Sequence, residues 1–170
     1  MRTEKVEVRE YDPGWKGAFE TIAAEIHAAL DGLEEVIEHV GSTSVPGLAA
    51  KPIIDIDVVI PSVNDLEKAI ELLERAGYEY EGNLGIKDRE AFKYSGKEHL
   101  MTHHLYVCTK GSAELRRHIA FRDYLRSCPE AAQRYGEVKM QAAGLYPCDI
   151  EKYIEYKSGI IEEIYKKCSI

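Results

Sequence analysis

Two hydrophobic periodicities divide the chain. As far as about residue 109, short strand-length apolar runs alternate with two helical stretches, and beyond that point apolar positions recur every three or four residues. Residues 4–9 alternate charged and apolar side chains, as an edge strand does. Tyr11-Asp12-Pro13-Gly14-Trp15 reads as a turn and helix start, with Asp12 as N-cap and Pro13 at the first helical position. That helix should run to about Leu30. Residues 36–40 (V-I-E-H-V) predict a short strand ending at Gly41, and residues 42–50 a loop with one helical turn through Leu48-Ala49-Ala50. Residues 52–60 are the strongest strand, broken by Pro61-Ser62. Asn64 or Asp65 then opens a helix to Ala76, closed by Gly77. Strands are expected at 78–81, 90–94 and 103–108, and helices at about 112–126, 129–143 and 149–167, with Pro129 and Pro147 between them. Strands first and helices last predict an α+β layout, a mixed sheet with helices packed on it and a helical last third. With no linker, low-complexity stretch or repeat, residues 1–170 are expected to form a single domain.

Charge changes this picture by giving it an axis. The net charge of −8 argues against general duplex nucleic-acid binding. Residues 1–86 carry 18 acidic and 7 basic side chains, whereas residues 87–139 carry 11 basic and 7 acidic, so the middle third is where an anionic ligand would be held. The alternative is ordinary solvated helix surface. No apolar run is long enough to span a bilayer, and the first ten residues lack the apolar core of a secretion signal; a cytoplasmic protein without a membrane partner is expected. Cys108, Cys128, Cys148 and Cys168 have no metal or redox spacing and should be reduced thiols.

The candidate chemistry sits in residues 40–57, V-G-S-T-S-V-P-G-L-A-A-K-P-I-I-D-I-D. Positions i and i+2 of a strand share a face, so Asp55 and Asp57 stand side by side on what should be a core strand. Two such carboxylates repel, and burying them unpaired is costly; a hard divalent cation, Mg²⁺ or Mn²⁺, removes both problems. Gly41 allows a close backbone approach to a phosphate, and Ser42 offers a hydroxyl to its oxygens. The order Gly41, Gly47, Lys51 is not a Walker A loop. A loop glycine followed by two strand-end aspartates is the plain alternative.

An apolar run ending in Gly-Ser, a short spacer and Asp-apolar-Asp resembles the signature of the nucleotidyltransferase superfamily. The longer stretch E-H-V-G-S-T-S-V-P-G-L-A-A-K-P-I-I-D-I-D closely resembles the GrpB family, assigned to that superfamily. So do Tyr11–Trp15, the strand His103-His104-Leu105-Tyr106-Val107, the segment Phe121-Arg122-Asp123-Tyr124-Leu125-Arg126 and the pair Tyr153…Lys157. The resemblance covers nearly the whole chain. It implies a nucleotidyltransferase-like fold, with Asp55 and Asp57 as catalytic metal ligands and Gly41 and Ser42 as phosphate binders. It does not imply a substrate. A GrpB-like domain can also be joined to dephospho-CoA kinase, an associational pointer toward nucleotide metabolism.

Active members of the superfamily usually add a third carboxylate from a later strand. Here the later strand has none: His104 shares a face with Tyr106, and Glu90 on the preceding strand is the other candidate. Imidazole suits Mn²⁺ or Zn²⁺ better than Mg²⁺. His39 is expected to be structural if it lies on the opposite face.

Helical spacing adds independent candidates. Arg122 lies on the stripe of Leu115, Ile119 and Leu125; Lys139 is four from Tyr135; Lys157 falls between Ile154 and Ile161. Cations on apolar stripes need partners, and convergence on a polyphosphate is the functional reading, with snorkelling stems or structural ion pairs as the alternative. Lys51 and Arg89, each at a strand start, invite the same two readings. The leading expectation is a metal-dependent nucleotidyltransferase-like enzyme using a nucleoside triphosphate and a small-molecule acceptor. A non-catalytic nucleotide- or metabolite-binding module on the same fold is the second, and an interaction protein with structural carboxylates the third.

Overall fold

The computed structural model describes residues 5–168. Helix α1 (Gly14–Ala29) leads into strand β1 (Val36–Val40), a 3-10 turn at Ser42–Ser44 and strand β2 (Ile54–Ile60). Helix α2 (Leu66–Arg75) precedes β3 (Tyr78–Gly82), β4 (Arg89–Tyr94) and β5 (His103–Thr109), and α3 (Ala113–Ser127), α4 (Pro129–Leu145) and α5 (Ile150–Lys167) complete the order. The five strands form one sheet in the order β1-β2-β5-β4-β3, in which only β2 and β5 are parallel. The mixed sheet and helical last third are as the sequence predicts.

Three local expectations change. In place of an edge strand at the start there is a single bridge between Arg9 and Ala50, and residue 4 lies outside the described residues. Asp12 does accept the Gly14 N–H, at 2.8 Å, but Pro13 occupies the cap position and the helix begins one residue later. The helical turn in the loop falls at Ser42–Ser44 rather than at 48–50, because Gly41, with φ of 72°, redirects the backbone as soon as β1 ends.

Strand alternation gives the sheet two unlike faces. Ile54, Ile56, Val58 and Ile60 of β2, with Leu105 and Val107 of β5, point to one side, where they bury against Trp15, Ile22 and Ile26 of α1 and Ala69 and Leu73 of α2. Val45 and Leu48, from the loop after β1, form a second apolar cluster with Leu125 of α3, Ala132 and Tyr135 of α4, and Ile160 and Ile164 of α5. The last three helices are thereby anchored beside the sheet's other face, with α3 packed on β1 and β5. On that face stand Glu38 of β1, Asp55 and Asp57 of β2, His104 and Tyr106 of β5 and Arg89 of β4, as the registers dictate.

Candidate functional site

Asp57 is completely buried at the centre of the sheet. Its Oδ2 lies 2.6 Å from Nδ1 of His118 on α3, and Nε2 of the same ring lies 3.1 Å from Oε1 of Glu114, one helical turn earlier. The other oxygen, Oδ1, is buried without a hydrogen-bond partner among the described residues. Burial pushes the Asp57 carboxyl above its ordinary range, with the His118 hydrogen bond and charge opposing the rise. His118 is disfavoured as a cation by its own burial, but the bond to Asp57 and the charges of Asp57 and Glu114 outweigh this and raise its pKa. Both ring nitrogens thus lie within hydrogen-bonding distance of a carboxylate oxygen.

Asp55 is more open. Its Oδ1 accepts from Nδ1 of His104 at 2.9 Å, and its side chain is 33% exposed. A Cβ placed on Gly41 would stand 2.2 Å from Asp55 Oδ2, so only glycine lets the loop lie against this carboxylate. Ser42, next in the chain, lies beside the buried Tyr135 of α4, where burial raises the Tyr135 hydroxyl's pKa and Ser42 offsets part of the rise. The Gly-Ser dipeptide and the first aspartate are therefore one packed unit.

Three lysines meet near Asp55 from three elements. The Nζ atoms of Lys51, before β2, and of Lys157, on α5, each lie 4.7 Å from the centre of the Tyr153 ring. Lys139 on α4 is 2% exposed, lies 4.4 Å from the Tyr135 ring centre, and has no hydrogen-bond partner for its Nζ among the described residues. Burial drives the Lys139 pKa well down, the Lys157 and Lys51 charges add to this, and Asp55 opposes it. Lys157 is pushed down to about 8, by burial first and then by Lys51. Lys51 is lowered by burial, with Asp55 opposing. Three lysines around one carboxylate outnumber their anionic partner, and aromatic faces give only partial compensation.

Arg122 is placed differently from the lysines. Its Nη1 lies 2.7 Å from Glu38 Oε2 and 3.1 Å from the His39 carbonyl, and its Nε lies 2.9 Å from Asp123. The guanidinium expected to meet phosphate is thus engaged by protein carboxylates, the structural ion pair that helical spacing alone left open. Arg89 stands two strands from Asp57, stacked on Tyr106 at 4.3 Å from the ring centre.

The third carboxylate does not come from Glu90. Its register partner is Val107, which puts it on the opposite face of the sheet, where it accepts from the Tyr80 hydroxyl at 2.6 Å. Glu38 is the carboxylate beside Asp57, directly across the antiparallel β1–β2 pair. His104 stands on β5 opposite Asp55, and His39 faces α1, stacked on Phe19 at 4.6 Å between ring centres. Sequence reasoning missed His118, Glu114 and Glu38. The first two were detectable: Glu114, His118 and Arg122 follow one another at i,i+4 along the face of α3.

Among the described residues, no three His, Cys, Asp or Glu side chains stand close enough together to hold a metal ion. The donors still suit a hard cation: two carboxylates on one face, one with an unpartnered buried oxygen. A groove of about 620 Å³ between the loop at Pro46 and Gly47 and α4 contains none of the predicted site residues. No described helix is long and apolar enough to cross a membrane.

Known proteins accord with this geometry. The family model described as GrpB protein matches residues 5–167. The UPF0157 protein YqkA of Bacillus subtilis is 35% identical over 93% of this chain, and the chain spans only 46% of that relative's length. UPF0157 protein BH1888 of Halalkalibacterium halodurans is 37% identical over 94% of this chain and 80% of its own. A dephospho-CoA kinase of Mycolicibacterium paratuberculosis is 25% identical over 92% of this chain and 44% of its own. The crystal structure of GrpB from Enterococcus faecalis superposes with a TM-score of 0.79 at 38% identity, covering 95% of this chain and 98% of that one. The Cid1 poly(U) polymerase bound to MgATP superposes with a TM-score of 0.55 at 12% identity, over 76% of this chain and 42% of that one, a likeness of fold. With a mixed sheet of the nucleotidyltransferase kind and a family model matched almost from end to end, this chain belongs to the GrpB family.

Proposed function

We infer that this chain binds a nucleoside triphosphate with a divalent metal and transfers a nucleotidyl or phosphoryl group from it to a small-molecule acceptor. The observation that carries the reading is the packed unit of Gly41, Ser42 and Asp55, flanked by three lysines that lack a matching number of anions. Asp55 and Asp57 would hold the Mg²⁺ or Mn²⁺, which neutralises phosphate charge and orients in-line attack when bound. His118 and Glu114 fix the Asp57 rotamer, as partners of metal-binding carboxylates commonly do. Lys51, Lys139 and Lys157 supply the charge for the phosphates, and Gly41 and Ser42 the close approach. His104 stands ready beside Asp55 as a further ligand. Four free cysteines accord with a reducing, cytoplasmic setting.

A second reading, a binding module without turnover, is favoured by one feature: β5 offers His104 where a third carboxylate would stand, and the neighbouring Glu38 is neutralised by Arg122. Titration calorimetry with Mn²⁺ and a non-hydrolysable ATP analogue tests both readings. Saturable binding lost in Asp55→Ala and Asp57→Ala is expected, and wild-type affinity in those variants would sink the site. Screens with hydrolysable triphosphates and acceptors then separate enzyme from module by the appearance of product.

A further inference from the structure

The arginines on the two sides of the aspartates have unlike surroundings. On the α3 side, Arg122 is tied to Glu38 and Asp123, and Arg126 donates to the Ser44 carbonyl at 2.9 Å. On the other side Arg89 has no carboxylate partner among the described residues. It rests on the Tyr106 ring, and its Nε–H is buried without an acceptor. A buried donor left unpaired costs about 1–3 kcal/mol. Such a group persists where an acceptor arrives from outside the chain.

Its place in the sheet says which acceptor. Arg89 pairs with Cys108 and Tyr106 pairs with Asp57, so the guanidinium over the Tyr106 ring stands on the aspartate face, with Tyr106 on the strand between it and Asp57. Burial raises the Tyr106 hydroxyl's pKa, with Asp55 and Asp57 adding to the rise and Arg89 opposing it. The lysines gather on the opposite flank, at the loop between β1 and β2. A transfer reaction needs its two substrates on either side of the reacting phosphorus, and the two cationic flanks meet that need.

We propose that Arg89 and Tyr106 form the acceptor subsite, and that the acceptor carries an oxyanion, a phosphate ester or a carboxylate, gripped by the Arg89 guanidinium. This rests on the triphosphate lying on the lysine flank. Arginine suits the role because its planar fork meets two oxygens of one anion, and Tyr106 supplies the shelf that holds the fork in plane.

The test uses the full chain, ¹⁵N-labelled, without nucleotide. Glycerol 3-phosphate is titrated in one arm and lactate in the other, with the Arg89 Nε–Hε resonance as readout. A saturable shift by at least one of them is expected, and the arm that responds names the anion. Binding of the responding probe should weaken at least tenfold in Arg89→Gln and recover in part in Arg89→Lys. In the same Arg89→Gln protein, with its melting temperature as folding control, Mn²⁺–ATP-analogue binding should stay within twofold of wild type. Absence of a shift with both probes overturns the subsite, as does unchanged probe binding in Arg89→Gln. Loss of nucleotide binding in Arg89→Gln also overturns it, by moving Arg89 to the triphosphate. If the probes shift Arg89 while the wild-type chain binds no Mn²⁺–nucleotide, the nucleotide reading fails and the anion subsite stands.

Discussion

The two faces of β2 are built from neighbouring residues and obey opposite rules. Toward α1 and α2 the strand presents Ile54, Ile56, Val58 and Ile60, each buried against other apolar side chains. Toward α3, α4 and α5 it presents Asp55 and Asp57, among histidines and lysines. The first face satisfies everything it buries. The second leaves an Asp57 oxygen, the Lys139 amine and the Arg89 Nε buried without partners. Stability is therefore concentrated on one side of a single strand, and unspent polar capacity on the other.

The largest expected effect lies on the apolar face. Ile56→Ala should cost about 2–5 kcal/mol, a fall in melting temperature on the order of 10 °C, with ligand affinity of the folded fraction unchanged. Thermal unfolding beside calorimetry checks this, and a large loss of affinity would break the separation of faces. Next in size, Asp57→Asn should weaken Mn²⁺–nucleotide binding at least tenfold, about 1.4 kcal/mol, while the melting temperature moves little, because the amide oxygen still accepts from His118.

Lys139→Met should have opposite signs in the two measurements. Replacing a buried amine that has no hydrogen-bond partner among the described residues by an apolar chain of similar length should raise stability by about 1 kcal/mol and weaken triphosphate binding. A destabilised Lys139→Met protein would mean that the lysine belongs to the core.

The smallest effect, in pH, sharpens the contrast. Burial holds the His39 pKa down to about 4, so the unfolded chain binds the extra proton between that value and 6.5, and stability should rise with pH across that window. Lys157, lowered to about 8 against 10.5, makes stability rise again from about pH 8 upward. Polyanion affinity should move the other way, falling as pH rises through about 8 and the ammonium is lost. Melting curves and calorimetry across pH 4–10 separate the two, and Lys157→Met should reduce the alkaline changes, to which Lys51 and Lys139 also contribute, and leave the acid window as it is.

Much of this contrast was legible in the chain. The period of two along I-D-I-D-V-V-I assigns the faces, and Gly41-Ser42 announces the close approach that the structure displays. Helical spacing found Arg122, Lys139 and Lys157 as buried or half-buried cations, but a stripe names a face and not a partner. Only the docking angle of α3 decides that Arg122 meets Glu38 while His118 meets Asp57. Glu90 was misread because a one-residue difference in register reverses a side chain's face, and register between distant strands is not written locally.

The parallel pairing of β2 with β5 bears on synthesis. The antiparallel partner β1 emerges just before β2 and can cover one edge of it at once. The other edge waits for β5, whose His104 is 49 residues beyond Asp55. Throughout that interval a nascent chain displays an Ile- and Val-rich strand with an open edge, the form that pairs readily with copies of itself. The two aspartates lie along that edge. Charged side chains on an exposed strand oppose its pairing with copies of itself, and Asp55 and Asp57 are the charges on this one.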